Sequence, residues 1–139
     1  MKKTEYVLGF MFSKNMEHIT LINKNKPEWQ KGFLNGIGGK IEPNEKPLIA
    51  MIREFAEETG VSTRSSDWNE VGSMNGSDWV VFLFKAVSDD VYNIETKEDE
   101  YVGINPVSSL RSLKTIKNLQ WVIPALLERD VISIDVQYI

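Results

Sequence analysis

The sequence predicts an α/β fold, a mixed β-sheet flanked by helices. Apolar runs with strand-like alternation open and close the chain, helical patterns sit between them, and turn-forming residues separate the segments. With 139 residues the chain is long enough for one domain, residues 1–139, and too short for two comfortable cores.

In order, Tyr6–Ser13 and His18–Lys24 read as strands joined by the polar turn KNME. NKPEWQKG follows as a loop, and FLNGIGGKIE as a glycine-rich strand end. PLIAMIREFAEET is the clearest helix, with Pro47 suited to its first position and Gly60 to the position just past its end. Lys46 is a poor capping residue, so tertiary contacts are expected to hold that start. DWNEVGSM and DWVVFLFKAVS form a hairpin around NGS. DDVYNIETKEDE is an acidic loop and YVGINPV a further strand. NLQWVIPALLERD reads as a helix that Pro124 can kink, and VISIDVQYI alternates as a closing strand.

Composition narrows the function. A net charge of −4 argues against a stable nucleic-acid partner. It leaves room for a nucleotide substrate, because a divalent metal can supply positive charge locally. The absence of cysteine excludes disulfides, thiolate zinc sites and cysteine nucleophiles. The opening MKKTEYVLGFMFS is too short and polar for a membrane span, and lacks the long apolar core of a signal peptide. A cytoplasmic protein with no membrane association, a monomer or homodimer, is the expectation. The single histidine, His18, is assigned a structural or surface role at a strand start.

The helix 47–59 has an unusual face. Stepping about 100° per residue puts Leu48, Ile49, Met51, Ile52, Phe55, Ala56 and Thr59 in one arc of about 160°, the expected buried stripe. Glu54, Glu57 and Glu58 share an adjoining arc of about 100°, with Arg53 at its border. Like charges so spaced cost roughly 0.2–0.5 kcal/mol per pair, which a solvated face bordered by Arg53 tolerates. The same carboxylates can instead converge on a cation. Upstream, Gly36, Gly38 and Gly39 precede Lys40, and glycines at a strand end let backbone approach a ligand closely. Hard carboxylate oxygens suit Mg²⁺ or Mn²⁺, and such sites commonly bridge protein carboxylates to substrate phosphates.

Gly39, five residues, Glu45, seven residues, then Arg53-Glu54-Phe55-Ala56-Glu57-Glu58-Thr59-Gly60-Val61 resembles a complete Nudix box, spanning 23 residues. The surrounding order of strands and helices fits the Nudix α/β/α sandwich. The resemblance implies hydrolysis of a nucleoside diphosphate linked to a further group, with Mg²⁺ or Mn²⁺ as cofactor. It implies Glu57 and Glu58 as principal metal ligands, and Glu54 as a further ligand or the base acting on water. It also implies a backbone carbonyl ligand from Gly38 or Gly39, a Glu45–Arg53 ion pair that orients the glutamates, and Lys40 reaching a phosphate. Related enzymes recruit a further loop carboxylate, for which TKEDEY offers Glu98, Asp99 and Glu100, with Glu100 preferred. A solvated acidic run would read the same way.

FLNGIGGK and LQWVIPALL also resemble the branch that hydrolyses oxidised purine nucleoside triphosphates such as 8-oxo-dGTP. There Asn35 would hydrogen-bond the base and Trp121 help line its pocket; an amide offers donor and acceptor together, and an indole offers a stacking face. Turn formation by Asn35 and core packing by Trp121 are the plain alternatives. Lys24 either touches phosphate or is solvated. YVGINPVSSL departs from that branch, having neither the acidic residue nor the second tryptophan used to read a purine edge.

The expected activity is therefore metal-dependent cleavage of a (deoxy)nucleoside triphosphate to monophosphate and pyrophosphate. The alternatives are a pyrophosphatase acting on a sugar nucleotide, dinucleotide or capped RNA, and a non-catalytic nucleotide-binding module.

Overall fold

A computed structural model describes residues 2–139. Its eight-stranded mixed sheet is built around β1 (Thr4–Phe12) and β6 (Trp79–Val87), which run parallel with Leu8 opposite Leu83. β5 (Asn69–Asn75) forms the expected hairpin with β6, and β8 (Ile134–Gln137) adds parallel to β5. A bulge between Glu70 and Gly72 bends β5; Gly72 has φ 141°, and a Cβ there would lie 1.8 Å from the carbonyl oxygen of Ile134.

On its other side β1 meets two strands. Near its end it pairs with β2 (His18–Asn23), and along its first half with β4 (Ile37–Lys40). The sheet therefore forks. β2 carries β3 (Leu34–Asn35) and β7 (Val102–Pro106). The glycine-rich segment read as one strand end is thus two short strands divided at Gly36, whose Cα packs so closely on the Phe10 ring that a Cβ would meet it at 2.8 Å.

Alternation along β1 and β6 divides the core into two layers. Val7, Met11, Phe84 and Ala86 face helix α1 (Pro47–Thr59), where Phe55 and Trp68 meet edge to face at 5.2 Å. Phe10, Phe12 and Leu83 face helix α2 (Leu119–Leu127), packing on Leu119, Val122 and Ile123. This is the expected α/β/α sandwich. α2 stops at Leu127 rather than Asp130, its end held by Lys85, whose ammonium donates to the Leu126 carbonyl at 2.5 Å. The closing strand is shorter than its alternation suggested, confined to four residues that can reach β5.

α1 begins at Pro47 with no side-chain cap from Lys46 and ends at Gly60 with φ 77°. Its buried face differs from the expected stripe. Ala50, Met51, Phe55, Glu58 and Thr59 are buried, whereas Ile49 is 50% exposed. The buried arc is turned by about a quarter turn toward the glutamates. The reason lies in β4, where Gly39 carries no side chain and leaves room for Glu54 on that side.

Candidate active site

Arg53 organises the acidic face of α1. Its Nε and Nη2 donate to the two oxygens of Glu45 at 2.8 and 2.9 Å, a fork-to-fork pair. Nη1 donates to Glu54 at 2.6 Å and to Glu57 at 3.2 Å, and Nη2 also reaches the Lys40 carbonyl at 3.2 Å. The Arg53 hydrogen bond holds the Glu45 carboxyl below its ordinary range. One guanidinium thus links the loop before α1, the end of β4 and two of the three glutamates.

The third glutamate behaves differently. Glu58 is 7% exposed, and its Oε2 is buried with no hydrogen-bond partner among the described residues. Burial, reinforced by the negative charge of Glu54 and only partly opposed by Lys24, pushes its carboxyl up to about 8. Glu54 is also raised, chiefly by burial, against the opposing pull of Arg53. It lies directly over Gly39, where a Cβ would stand 2.2 Å from Glu54 Oε2.

The acidic loop after β6 docks on the end of α1. Glu95 and Lys97 donate backbone N–H groups to the Thr59 and Glu58 carbonyls at 2.9 and 3.4 Å, satisfying helix-end acceptors. That docking brings Glu98 and Glu100 into the electrostatic surroundings of Glu58. Glu100, however, is 8% exposed and already occupied. Its Oε1 accepts from Lys24 at 3.1 Å, and its Oε2 from the N–H groups of Asn25 and Lys26 at 2.6 and 3.3 Å. Burial alone would raise this carboxyl, but those donors outweigh it and hold it below the ordinary range.

A cavity of about 590 Å³ opens beside this cluster. Gly38 and Gly39 form the wall nearest Glu54, and Lys24, Asn35 and Gly36 continue it. Trp29, Trp79, Asp78 and Asn118 also line it; the sequence had not marked these four. Trp121 does not line it, being 42% exposed on another side of α2. Lys40 is separate too, facing an outer groove with Glu42, Arg53, Glu54 and Glu57.

Asn35 is orientated from both ends. Its Oδ1 accepts from the Gly36 N–H at 2.8 Å and its Nδ2 donates to Gln30 at 3.1 Å. Asn118 is the reverse case. It occupies the N-cap position of α2 but makes no capping hydrogen bond; its Nδ2 touches Met74 Sδ at 3.5 Å and its Oδ1 is buried without a partner. An asparagine ahead of an apolar helical run usually signals a cap; this one lines the cavity instead, with its buried oxygen left unpaired among the described residues.

A family model described as the NUDIX domain matches residues 2–127. The chain belongs to the Nudix family. The MutT structure described for Aliivibrio salmonicida and Vibrio cholerae is similar with a TM-score of 0.76 at 20% identity, over 91% of this chain and 98% of that one. A bifunctional NMN adenylyltransferase/ADP ribose pyrophosphatase from Francisella tularensis, complexed with AMP and a manganese ion, gives 0.69 at 15% identity, over 90% of this chain and 41% of that one. Both likenesses are of fold. In sequence, the methanol dehydrogenase activator of Bacillus methanolicus is 25% identical over 107 residues, 74% of this chain. The chain spans 58% of that relative's length.

Hydrolysis of nucleoside diphosphate derivatives is the general chemistry of the Nudix family. The residues present fit the divalent metal that such hydrolases use. The unpartnered Glu58 oxygen and the Glu54 carboxylate seated against Gly39 make an all-oxygen donor set suited to Mg²⁺ or Mn²⁺. Among the described residues no three such side chains already stand grouped as a cage. Arg53 lies between Glu54 and Glu57 in this arrangement. Among the described residues, too, no helix is long and apolar enough to cross a membrane.

Proposed function

We propose that this chain is a metal-dependent nucleoside triphosphate diphosphatase, cleaving a (deoxy)nucleoside triphosphate to its monophosphate and pyrophosphate, with oxidised purines such as 8-oxo-dGTP among its substrates. One observation carries the reading. Gly39 is at once part of the cavity wall and the seat of Glu54, so a nucleoside in the cavity presents its phosphates to the glutamates.

In this reading Glu57 and Glu58 hold Mg²⁺ or Mn²⁺, with a Gly38 or Gly39 carbonyl, and Glu54 either joins them or serves as base. The bound metal neutralises charge on the phosphate oxygens and makes water nucleophilic near neutral pH. Glu54, its proton affinity raised by burial, is suited to accept the proton as the water oxygen bonds to phosphorus. The bridging P–O bond between the first and second phosphates breaks, and pyrophosphate departs with the bridge electrons or leaves the monophosphate to carry them. Arg53 fixes the glutamates through Glu45. Lys24 and Lys40 approach the polyphosphate from either side of the glycine edge. Trp29 and Trp79 offer faces to the base, and Asn35 and Asn118 offer amides to its edge. Asp78 and Trp79 supply, from the hairpin, the acidic group and tryptophan that YVGINPVSSL does not.

The deciding experiment is a nucleotide panel with Mg²⁺, scoring pyrophosphate against orthophosphate. Pyrophosphate from triphosphates supports the proposal. Turnover only of diphosphate-linked compounds would move the enzyme to sugar nucleotides, dinucleotides or capped ends, and inactivity throughout would make it a binding module.

A further inference from the structure

We propose that Glu100 is a positioning residue of the nucleotide cavity, clamping segment 24–30 so that Trp29, Gln30 and Asn35 are held in its wall. The inference rests on the reading that this cavity receives a nucleotide. It gives Glu100 a task other than coordinating metal.

At the end of β2, Asn23 N–H is taken by the Tyr101 carbonyl and Lys24 N–H by the Phe33 carbonyl. There the ladder ends. The next two N–H groups, of Asn25 and Lys26, have Glu100 Oε2 as their acceptor, at 2.6 and 3.3 Å. Consecutive N–H groups converging on one carboxylate oxygen form an anion-binding nest, here filled from within the chain. Lys24 pairs with the other oxygen at 3.1 Å, and the Asn25 side chain donates to the Asp99 carbonyl at 3.2 Å. Two segments far apart in sequence are thereby tied at a buried point.

What the clamp holds is the rim. Pro27 follows it directly, then the short helical turn Glu28–Gln30. Pro27, Trp29 and Gln30 all line the cavity. Trp29 is 68% exposed, so packing alone does not hold it there. Gln30 passes the constraint on by accepting from Asn35 Nδ2 at 3.1 Å. The chain of contacts runs from Glu100 through the Asn25 and Lys26 amides to Gln30 and Asn35. A carboxylate with both oxygens committed in this way has little left for a cation, whereas Glu58 keeps an unpartnered oxygen.

The test uses Glu100→Gln, nearly isosteric, in the full chain, with three readouts. In ligand-free protein, amide exchange at Asn25 and Lys26 should speed about tenfold while the centre of β2 keeps its protection. Calorimetry with Mn²⁺ alone should stay within about twofold of the parent, while a non-hydrolysable nucleoside triphosphate titrated in chelator should bind about tenfold more weakly. Unchanged exchange at both amides overturns the proposal, as does loss of Mn²⁺ affinity with nucleotide binding intact. If Glu100→Gln does not fold, Lys24→Met removes only the ammonium; faster exchange at the same amides supports the clamp and unchanged exchange overturns it. A parent protein that binds no nucleotide would defeat the proposed function, and the exchange measurement would still decide the clamp.

Discussion

Gly39 and Glu54 are fitted to one another: a single added methyl on the glycine would stand 2.2 Å from the glutamate's Oε2. The helix can lean on the sheet at this point only because β4 presents bare backbone. Gly39→Ala should therefore displace Glu54 rather than unfold the protein. An ångström of misplacement costs about a hundredfold in rate, so turnover should fall by roughly that factor with a melting temperature close to the parent's. Parent-like turnover would show that the position of Glu54 is not critical.

Arg53→Ala should lose both activity and stability. It strips Glu45 of two charge-assisted hydrogen bonds and frees Glu54 and Glu57. A loss of about 1–3 kcal/mol is expected from denaturant unfolding, given the partial exposure of the pair. Arg53→Lys should recover little, since an ammonium cannot reproduce the fork. Full recovery by lysine would reduce the role of Arg53 to charge alone.

Glu58 should make the metal-free protein less stable as pH rises. Its carboxyl titrates near 8 when folded, against an ordinary 4.5. Between those values the folded chain keeps a proton that the unfolded chain has lost, so stability is fullest below about 4.5 and declines toward 8. Glu58→Gln should flatten that slope in chelator. With Mg²⁺ present the parent should release a proton on binding, visible as a buffer-dependent heat in calorimetry. A pH slope identical in parent and Glu58→Gln would refute this account.

Glu57 is the most exposed of the three glutamates, and among the described residues Arg53 alone holds its side chain. Glu57→Gln should leave the fold intact and abolish metal-dependent turnover, a loss of at least about a hundredfold. Retained turnover would remove Glu57 from the metal set.

Asn118 lines the cavity, and its buried amide oxygen has no partner among the described residues. Asn118→Ala should weaken purine triphosphates about tenfold in kcat/KM and pyrimidine ones less, with Mn²⁺ affinity unchanged. Equal losses for every base would show that Asn118 does not read the base. Asn35→Ala can be compared directly, because Gln30 and Gly36 already engage its amide.

Local signals were legible along the chain. Pro47 and Gly60 delimit α1 because one lacks an N–H that a first turn does not need and the other accepts a positive φ. The spacing from Gly39 to Val61 identified the family, since glycine edge, orienting ion pair and glutamates all lie within one strand–loop–helix unit. The hairpin at NGS followed from turn chemistry. Tertiary structure alone decided which glutamate would be buried, because the face α1 turns inward depends on how closely Gly39 lets Glu54 approach β4. It alone decided that Glu100 would answer the unpaired amides of Asn25 and Lys26, 75 and 74 residues away in sequence. The cavity walls, too, were beyond local reading: Trp79 and Asn118 come from different elements, and Trp121, one turn along α2, points elsewhere. Periodicity and capping are set by neighbours in the chain, whereas burial and pairing at a site are set by what the fold places opposite.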